Sequence, residues 1–328
     1  MCLQATFELT LMLEAEKFYK LLDRVYSRSE HSDGNKLVDQ SLAPKGIVVT
    51  YHDKQYKKKV QLTVNMNVLL DGEAPDSDNA DKLLRKLEKR VNNYFGSTYT
   101  LDDFSLSKVY LATDIDVGSR EKVAAYIKVL KRIGKVKGFS PSRDDRFDDK
   151  SSFCLEGNSN GIEFLIYDLE GFFRERLRET DSECKELKSM AKNSAGLLRA
   201  EVRLIKSTAI RACVDETLTT DQISTLCGKC QKLFLEIFQR IIPFGDFYKK
   251  HKAAEIIRAE ISNMKTRRRM LRLVALAPEK KSLLLAQKAL NYRRIDDVME
   301  AFAEIEVSPI TLSKRHDVKH LKNLYAFL

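Results

Sequence analysis

Hydrophobic and polar residues alternate with a period of two in three stretches near the middle of the chain. These stretches are 108–117, 161–168 and 197–204. Such alternation is typical of strands in a sheet that has one buried face and one face in water. If the three strands lie in one sheet, its polar face collects carboxylates, arginines and the tyrosines Tyr110 and Tyr167.

The same kind of pattern extends on both sides of these strands. In the first part of the chain it predicts a strand over 5–12, a helix over 14–26, a polar loop over 27–45, strands over 46–52 and 58–68, and a helix over 80–95. In the second part it predicts a strand over 106–117, a helix over 120–133 capped by Ser119, a loop over 135–150, a hairpin over 152–156 and 161–168, a helix over 171–192 and a strand over 197–205. Both parts therefore follow the order β-α-β-β-α, which indicates a structural duplication.

After Lys206 the spacing becomes helical throughout. The predicted helices cover 221–241, 247–261, 264–275, 281–289 and 295–302, with a short helix after Pro309. The prolines Pro243, Pro278 and Pro309 are expected to separate these helices, with Pro309 at a first helical position. The expected fold is α+β: a duplicated β-α-β-β-α antiparallel sheet domain, with halves at 1–100 and 101–206, and an all-helical C-terminal region over 207–328.

Composition narrows the class of protein. The 328 residues include 57 Lys and Arg against 47 Asp and Glu, a net charge of +10 that favours a polyanionic partner. No uncharged apolar run is long enough for a membrane span, and the start of the chain lacks the pattern of a signal peptide. With six scattered cysteines, a reducing cytoplasm is the expected location. Cys227 and Cys230 form a CxxC within a helical pattern, so we interpret them as core residues rather than zinc ligands.

The polar face of the predicted sheet offers one specific chemistry. Asp114, Asp116 and Glu201 could bind Mg²⁺ or Mn²⁺, since these ions prefer carboxylate and water oxygens. Tyr167 on the neighbouring strand would then attack a metal-polarised phosphodiester. A phenol has a pKa of about 10, so it needs a metal or nearby cations to react at neutral pH.

Two arginines on the same face have two interpretations. Arg199 and Arg203 could hold phosphate oxygens with their bidentate forks. Alternation of Arg and Glu, as in 199–203, also commonly produces cross-strand ion pairs without any catalytic role. A third possibility, RNA binding on an RRM-like sheet, requires several exposed aromatic side chains, and this face offers only the tyrosines.

Three motifs carry a resemblance to a known family. The stretches "LSKVYLATDIDVGSREKVAAYIKVL", "GNSNGIEFLIYDLE" and "GLLRAEVRL" resemble the replication initiation factors of rolling-circle plasmids, integrative elements and filamentous phages. The resemblance implies a metal-dependent nickase that joins its tyrosine to the 5′ phosphate of one strand of origin DNA. It also implies double-stranded origin DNA and its nicked single strand as partners, together with a host helicase or polymerase and a homodimeric state.

Transferred by position, Tyr167 matches the nucleophile of the family, Glu201 a metal-site glutamate and Asp114 the downstream aspartate of the first strand. Two positions depart from the pattern: Tyr110 stands where an aspartate is usual and Leu169 where a lysine often follows. In addition, Lys108 replaces the arginine of the first motif. The alternative function is therefore a catalytically inactive DNA-binding protein of a plasmid or phage.

Basic residues in the C-terminal region suggest a second DNA contact. The "SPITLSKRH" stretch, beginning at Ser308, is interpreted as opening a basic helix of a helix-turn-helix or winged element, with a simple helical cap on the sheet as the alternative. Arginines and lysines of this kind mostly contact phosphates. The predicted DNA-binding residues are Lys108, Arg199, Arg203, Arg267, Arg268, Arg269, Lys314 and Arg315.

Overall fold

The computed structural model describes residues 2–26, 30–32, 35–142, 150–158, 161–179, 184–290, 295–315 and 317–328. The fold is α+β, with a large antiparallel sheet and many helices. The first part contains β1 (Gln4–Leu13), α1 (Ala15–Asp23), β2 (Glu30–Ser32), β3 (Lys36–Asp39), β4 (Ile47–Lys54), β5 (Lys57–Asn65), α2 (Met66–Leu69) and α3 (Ala80–Phe95).

The second part contains β6 (Ser105–Asp116), α4 (Arg120–Leu130), β7 (Phe139–Pro141), β8 (Ser152–Gly157), β9 (Ile162–Asp168), α5 (Leu169–Glu179), α6 (Lys185–Asn193) and β10 (Leu197–Leu204). The remaining elements are α7 (Ser207–Arg211), α8 (Thr219–Ile241), β11 (Phe247–Tyr248), α9 (Lys250–Glu260), α10 (Met264–Lys280), α11 (Leu283–Ala289), α12 (Ile295–Glu304) and β12 (His320–Leu321). No helix in these described ranges has the length and apolar character needed to cross a bilayer.

Ten described strands form one sheet in the order β2-β3-β4-β5-β1-β6-β10-β9-β8-β7, and every neighbouring pair is antiparallel. The strands β1 and β6 are adjacent at its centre, where Phe7 lies opposite Val109. Further along, Val202 on β10 lies opposite Leu111 and Phe164. All five side chains are buried, so the predicted alternation produces one continuous apolar face.

A helical layer covers this apolar face. Helix α8 packs on β6 and α3, and α4 packs on β8, β9 and β10. The ring of Phe238 on α8 meets Phe164 edge-on, with centroids 5.8 Å apart. Buried apolar residues from Leu3 to Leu324 belong to one hydrophobic cluster, so the C-terminal helices share a core with the sheet.

The opposite face of the sheet is covered at one end. A second, smaller cluster joins Leu165 and Tyr167 of β9 to Leu169 and Phe173 of α5 and Ala191 of α6. Since Leu165 and Tyr167 alternate with side chains of the main core, α5 and α6 pack on the polar side of the sheet. The single helix expected over 171–192 is thus two helices, and residues 180–183 between them lie outside the described ranges.

Several local predictions were wrong. The loop expected over 27–45 contains the outer strands β2 and β3, and the loop expected over 135–150 contains β7. The strand expected over 58–68 ends at Asn65, because the Asn65 side chain accepts a hydrogen bond from the Val68 backbone N–H and starts α2. Helix α10 continues past Pro278 to Lys280.

The C-terminal region is not purely helical. Strands β11 and β12 pair within it, and residues 308–315 form no helix. The Ser308 and Leu312 backbone N–H groups donate to the carbonyls of Asp246 and Tyr248, at 2.9 Å each. These long-range hydrogen bonds hold the segment extended, so the basic helix expected after Pro309 is absent.

Candidate functional site on the polar sheet face

The sheet register brings the predicted catalytic residues onto one face. Arg199 on β10 lies opposite Asp114 on β6 and opposite Tyr167 on β9. Two residues further along, Glu201 follows on the same side of β10, and Arg203 comes next. The structure therefore places together the three strands that sequence periodicity had grouped.

The arginines on this face bind carboxylates. Arg199 donates from Nε to Asp114 Oδ1 at 2.6 Å and from Nη2 to Oδ2 at 2.9 Å. Arg203, which is only 2% exposed, donates from Nε and Nη2 to the Glu201 oxygens at 2.9 and 3.0 Å. Arg203 also lies 3.4 Å from Glu163. This arrangement corresponds to the ion pairing that the sequence left open as the non-catalytic interpretation.

Tyr167 does not lie on a solvated surface. Its side chain is 4% exposed and its ring packs against Phe172 of α5, with centroids 5.6 Å apart. The hydroxyl donates to Glu201 Oε2 at 3.4 Å. Burial, with the Glu201 carboxylate beside it, raises the pKa of Tyr167 well above its usual range. A nucleophilic phenolate is therefore disfavoured at this position.

An ion pair anchors α5 over Tyr167. Glu170, in the first turn of α5, is 3% exposed, and its carboxylate accepts hydrogen bonds from Arg120 of α4 and from Arg174 Nε at 2.7 Å. Leu169, where the resemblance implies a lysine, is buried in the small hydrophobic cluster with Phe173. Leu169 therefore contributes apolar packing at a position where a lysine would place a cation near Tyr167.

The carboxylates expected to bind a metal do not fit that role in this arrangement. Both oxygens of Asp114 and both oxygens of Glu201 accept from arginines. Asp116 accepts from the Gly118 backbone N–H at 2.8 Å, in the turn that leads to α4. Across the described residues, no three His, Cys, Asp or Glu side chains are grouped so that they could hold a metal ion.

Tyr110, the other tyrosine of this face, is bound to a glutamate that sequence inspection overlooked. Its hydroxyl donates to Glu8 Oε1 at 2.9 Å, and Lys108 lies 3.1 Å from Glu8 Oε2. Burial, together with the Glu8 carboxylate, raises the pKa of Tyr110 to about 12. Glu8 lies on β1, 102 residues away from Tyr110, so only the pairing of β1 with β6 reveals this contact.

A cluster of cations occupies the other end of the polar face. Lys36 and Lys59 lie opposite His52 from either side, and Lys54 lies opposite Lys57 at the end of the β4–β5 hairpin. We call these five residues the basic sheet cluster. None of its four lysines makes an ion pair with a described residue.

The electrostatics of this cluster affect its own members. Burial, together with the charges of Lys59, Lys36 and Lys54, lowers the pKa of His52 to about 4. Burial and the neighbouring lysines also lower the pKa of Lys59. Sequence periodicity alone did not group these residues, because their proximity depends on the pairing of β3 with β4 and of β4 with β5. Lysine at alternate positions 57 and 59 was the available signal.

The predicted DNA-binding residues of the C-terminal region lie elsewhere. Arg267, Arg268 and Arg269 are on α10, within the helical layer that covers the apolar face, and Arg267 Nη1 donates to the Arg258 carbonyl at 3.2 Å. Lys314 and Arg315 are exposed in the extended segment after Pro309. The elements that carry these residues belong to the main hydrophobic cluster, whereas Tyr167 belongs to the smaller cluster on the polar side of the sheet.

No protein-family model and no curated protein matches this sequence. The resemblance to replication initiation factors consequently depends on the three motifs alone.

Proposed function

We propose that this protein binds the DNA of a plasmid or phage in the host cytoplasm, as a relative of rolling-circle replication initiators that does not nick DNA through Tyr167. The observation that carries the proposal is the set of contacts on the polar face of the sheet. Arg199 and Arg203 form ion pairs with Asp114 and Glu201, and α5 covers Tyr167. The same face carries the basic sheet cluster, whose lysines make no ion pair with a described residue, and this suits contact with phosphates.

The order of strands supports a duplicated origin for the sheet. From the centre outward, one half runs β1-β5-β4-β3-β2 and the other runs β6-β10-β9-β8-β7. In each half the first strand of the sequence is central, and the last strand pairs beside it. We include in the proposal that the two halves correspond strand by strand, so that β5 matches β10, whereas the expected β-α-β-β-α order matched the strand over 58–68 with the strand over 161–168.

Binding to duplex DNA would take place on the basic sheet cluster. Each phosphate that a lysine neutralises releases counterions, so affinity should fall with salt at a slope of about −0.9 per phosphate. The double variant K57Q/K59Q should weaken binding and reduce that slope. The matched control is K17Q/K232Q, because Lys17 and Lys232 are solvent-exposed on helices α1 and α8.

The deciding experiment incubates the protein with supercoiled plasmid that carries the DNA flanking its own gene, with Mg²⁺ or Mn²⁺, followed by a denaturing gel. The expected result is salt-dependent binding without a covalent protein–DNA adduct. Absence of any DNA binding would contradict the proposal as a whole. Equal binding by K57Q/K59Q and by the control variant would contradict the assignment of the interface.

The second candidate function is the nickase itself. It is favoured by one observation: Tyr167, Arg199 and Glu201 share one face, with the tyrosine hydroxyl 3.4 Å from Glu201. Nicking would require α5 to move from the sheet and the arginines to release their carboxylates. A covalent adduct in the same gel, absent in Tyr167→Phe and in EDTA, would establish this function and overturn the first proposal.

A further inference from the structure

A groove of about 1030 Å³ lies between the start of α9 and the segment that leads into β12. We call it the C-terminal groove. It is on the part of the chain that packs against the apolar side of the sheet, away from the basic sheet cluster. Several basic side chains line it, including Lys250, Lys252, Arg258, Lys314 and Lys319, and the His320 ring forms part of the same lining.

The positive charge of the groove is largely uncompensated. Lys250, Lys314 and Lys319 make no ion pair with any described residue. Glu255 also lines the groove, and it lies 3.3 Å from Lys252. A concave surface with an excess of positive charge concentrates the electric field, so this groove should attract anions.

A pair of stacked rings forms part of the wall. Tyr248 on β11 and His320 on β12 have ring centroids 4.7 Å apart and an angle of 20° between their planes. Strand pairing holds the two residues opposite each other, and Asp246 Oδ2 lies 2.6 Å from His320 Nε2. The rings are therefore fixed in position before any ligand arrives, while His320 stays 39% exposed.

We propose that the C-terminal groove binds single-stranded nucleic acid, with phosphates on its lysines and a base stacked on the Tyr248–His320 pair. Cations that follow a backbone and aromatic rings that accept bases are the two components by which proteins hold single strands. A duplex keeps its bases stacked on each other and cannot offer one to the rings. The inference relies on the proposed function only for nucleic acid as the partner, because the site and the form of the ligand differ.

The test is fluorescence anisotropy with a short labelled oligothymidine, compared with an abasic oligomer of the same length. Wild-type protein should bind the oligothymidine more tightly. The variant Y248L should lose roughly 5- to 150-fold in affinity, which is the range for one stacked base, whereas Y248F should keep it. The variant K314Q/K319Q should weaken both oligomers and lower the salt slope by about 0.7 for each lost phosphate contact.

Circular dichroism of each variant checks that the fold is intact, and K17Q/K232Q again serves as the charge control. If Y248L does not fold, the abasic comparison and the lysine variant still decide the outcome. Equal affinity for the abasic oligomer and the oligothymidine would overturn the proposal, as would unchanged binding by K314Q/K319Q. Preferential binding of anionic lipid vesicles through the same lysines would overturn it in favour of a membrane surface.

Different binding results would contradict the duplex-binding proposal and the groove proposal. The groove variant Y248L should leave duplex binding unchanged, and K57Q/K59Q should leave oligothymidine binding unchanged. Loss of oligothymidine binding in K57Q/K59Q, with the groove variants normal, would overturn the groove assignment while keeping nucleic acid as the partner. Absence of binding to duplex and single strand alike would refute the proposed function itself. Oligoribouridine in place of oligothymidine shows whether the groove prefers RNA or DNA.

Discussion

Replacement of Arg203 by methionine should destabilise the protein far more than removal of an exposed charge. Arg203 is 2% exposed, and its guanidinium group pairs with Glu201, whose side chain is 12% exposed. Methionine fills a similar volume but leaves the Glu201 carboxylate desolvated and without its cation. Removing one partner of a buried ion pair typically costs about 3–5 kcal/mol, so we expect a loss in that range.

The double variant R203M/E201L separates the charge effect from packing. Replacing both partners of a buried pair by apolar residues is often neutral or even stabilising, so most of the stability should return. The control is Lys17→Met, at an exposed ion pair. The Lys17 ammonium lies 3.8 Å from Glu14 and the Lys17 side chain is 63% exposed, so this substitution should lower the free energy of unfolding by less than about 1 kcal/mol.

Urea denaturation followed by far-ultraviolet circular dichroism measures these differences. Urea is preferred because guanidinium chloride would screen the ion pairs under study, and circular dichroism suits a chain that contains no tryptophan. A loss of less than about 1 kcal/mol in R203M would refute the reasoning, since it would mean that water reaches Glu201. A double variant as unstable as R203M would instead identify Arg203 as a packing residue.

Three further predictions concern other parts of the molecule. His52→Asn should flatten the pH dependence of stability: the folded-state pKa of His52 is lowered to about 4 from an ordinary 6.5, so its contribution is present above pH 6.5 and is lost as pH falls toward 4. Urea midpoints across that window should be compared with wild type, and parallel curves would contradict the assignment. In native protein, a thiol reagent should modify exposed Cys2 but not Cys227 or Cys230, because burial raises the pKa of Cys227 to about 12 and that of Cys230 further. Rapid native labelling at either position would show that α8 is not packed as described. Phe164→Ala should cost about 3–5 kcal/mol in the same urea assay, since this ring is fully buried against Phe238, and a loss under about 1 kcal/mol would contradict that packing.

Local sequence determined most of the secondary structure. Alternation identified the strands that carry the candidate site, and helical spacing located α3 at the bounds the structure shows, Ala80–Phe95. The N-cap at Ser119 was also predictable, and its side chain accepts from the Lys122 backbone N–H at 3.3 Å. Such features depend on residues within a few positions of each other, where backbone geometry and solvation act directly.

Tertiary structure alone decided what the polar face of the sheet became. A period of two shows that Tyr167 and Phe164 point to opposite sides, but not that α5 covers the Tyr167 side. The partners of Arg199 and Tyr110 depended on strand register across 85 and 102 residues of sequence. Likewise, distant backbone hydrogen bonds at Ser308 outweighed the local signal for a helix after Pro309. The physical reason is the same in each case. The burial of a side chain and the pairing of a strand depend on which elements come into contact in the folded chain, and local periodicity does not specify those tertiary contacts.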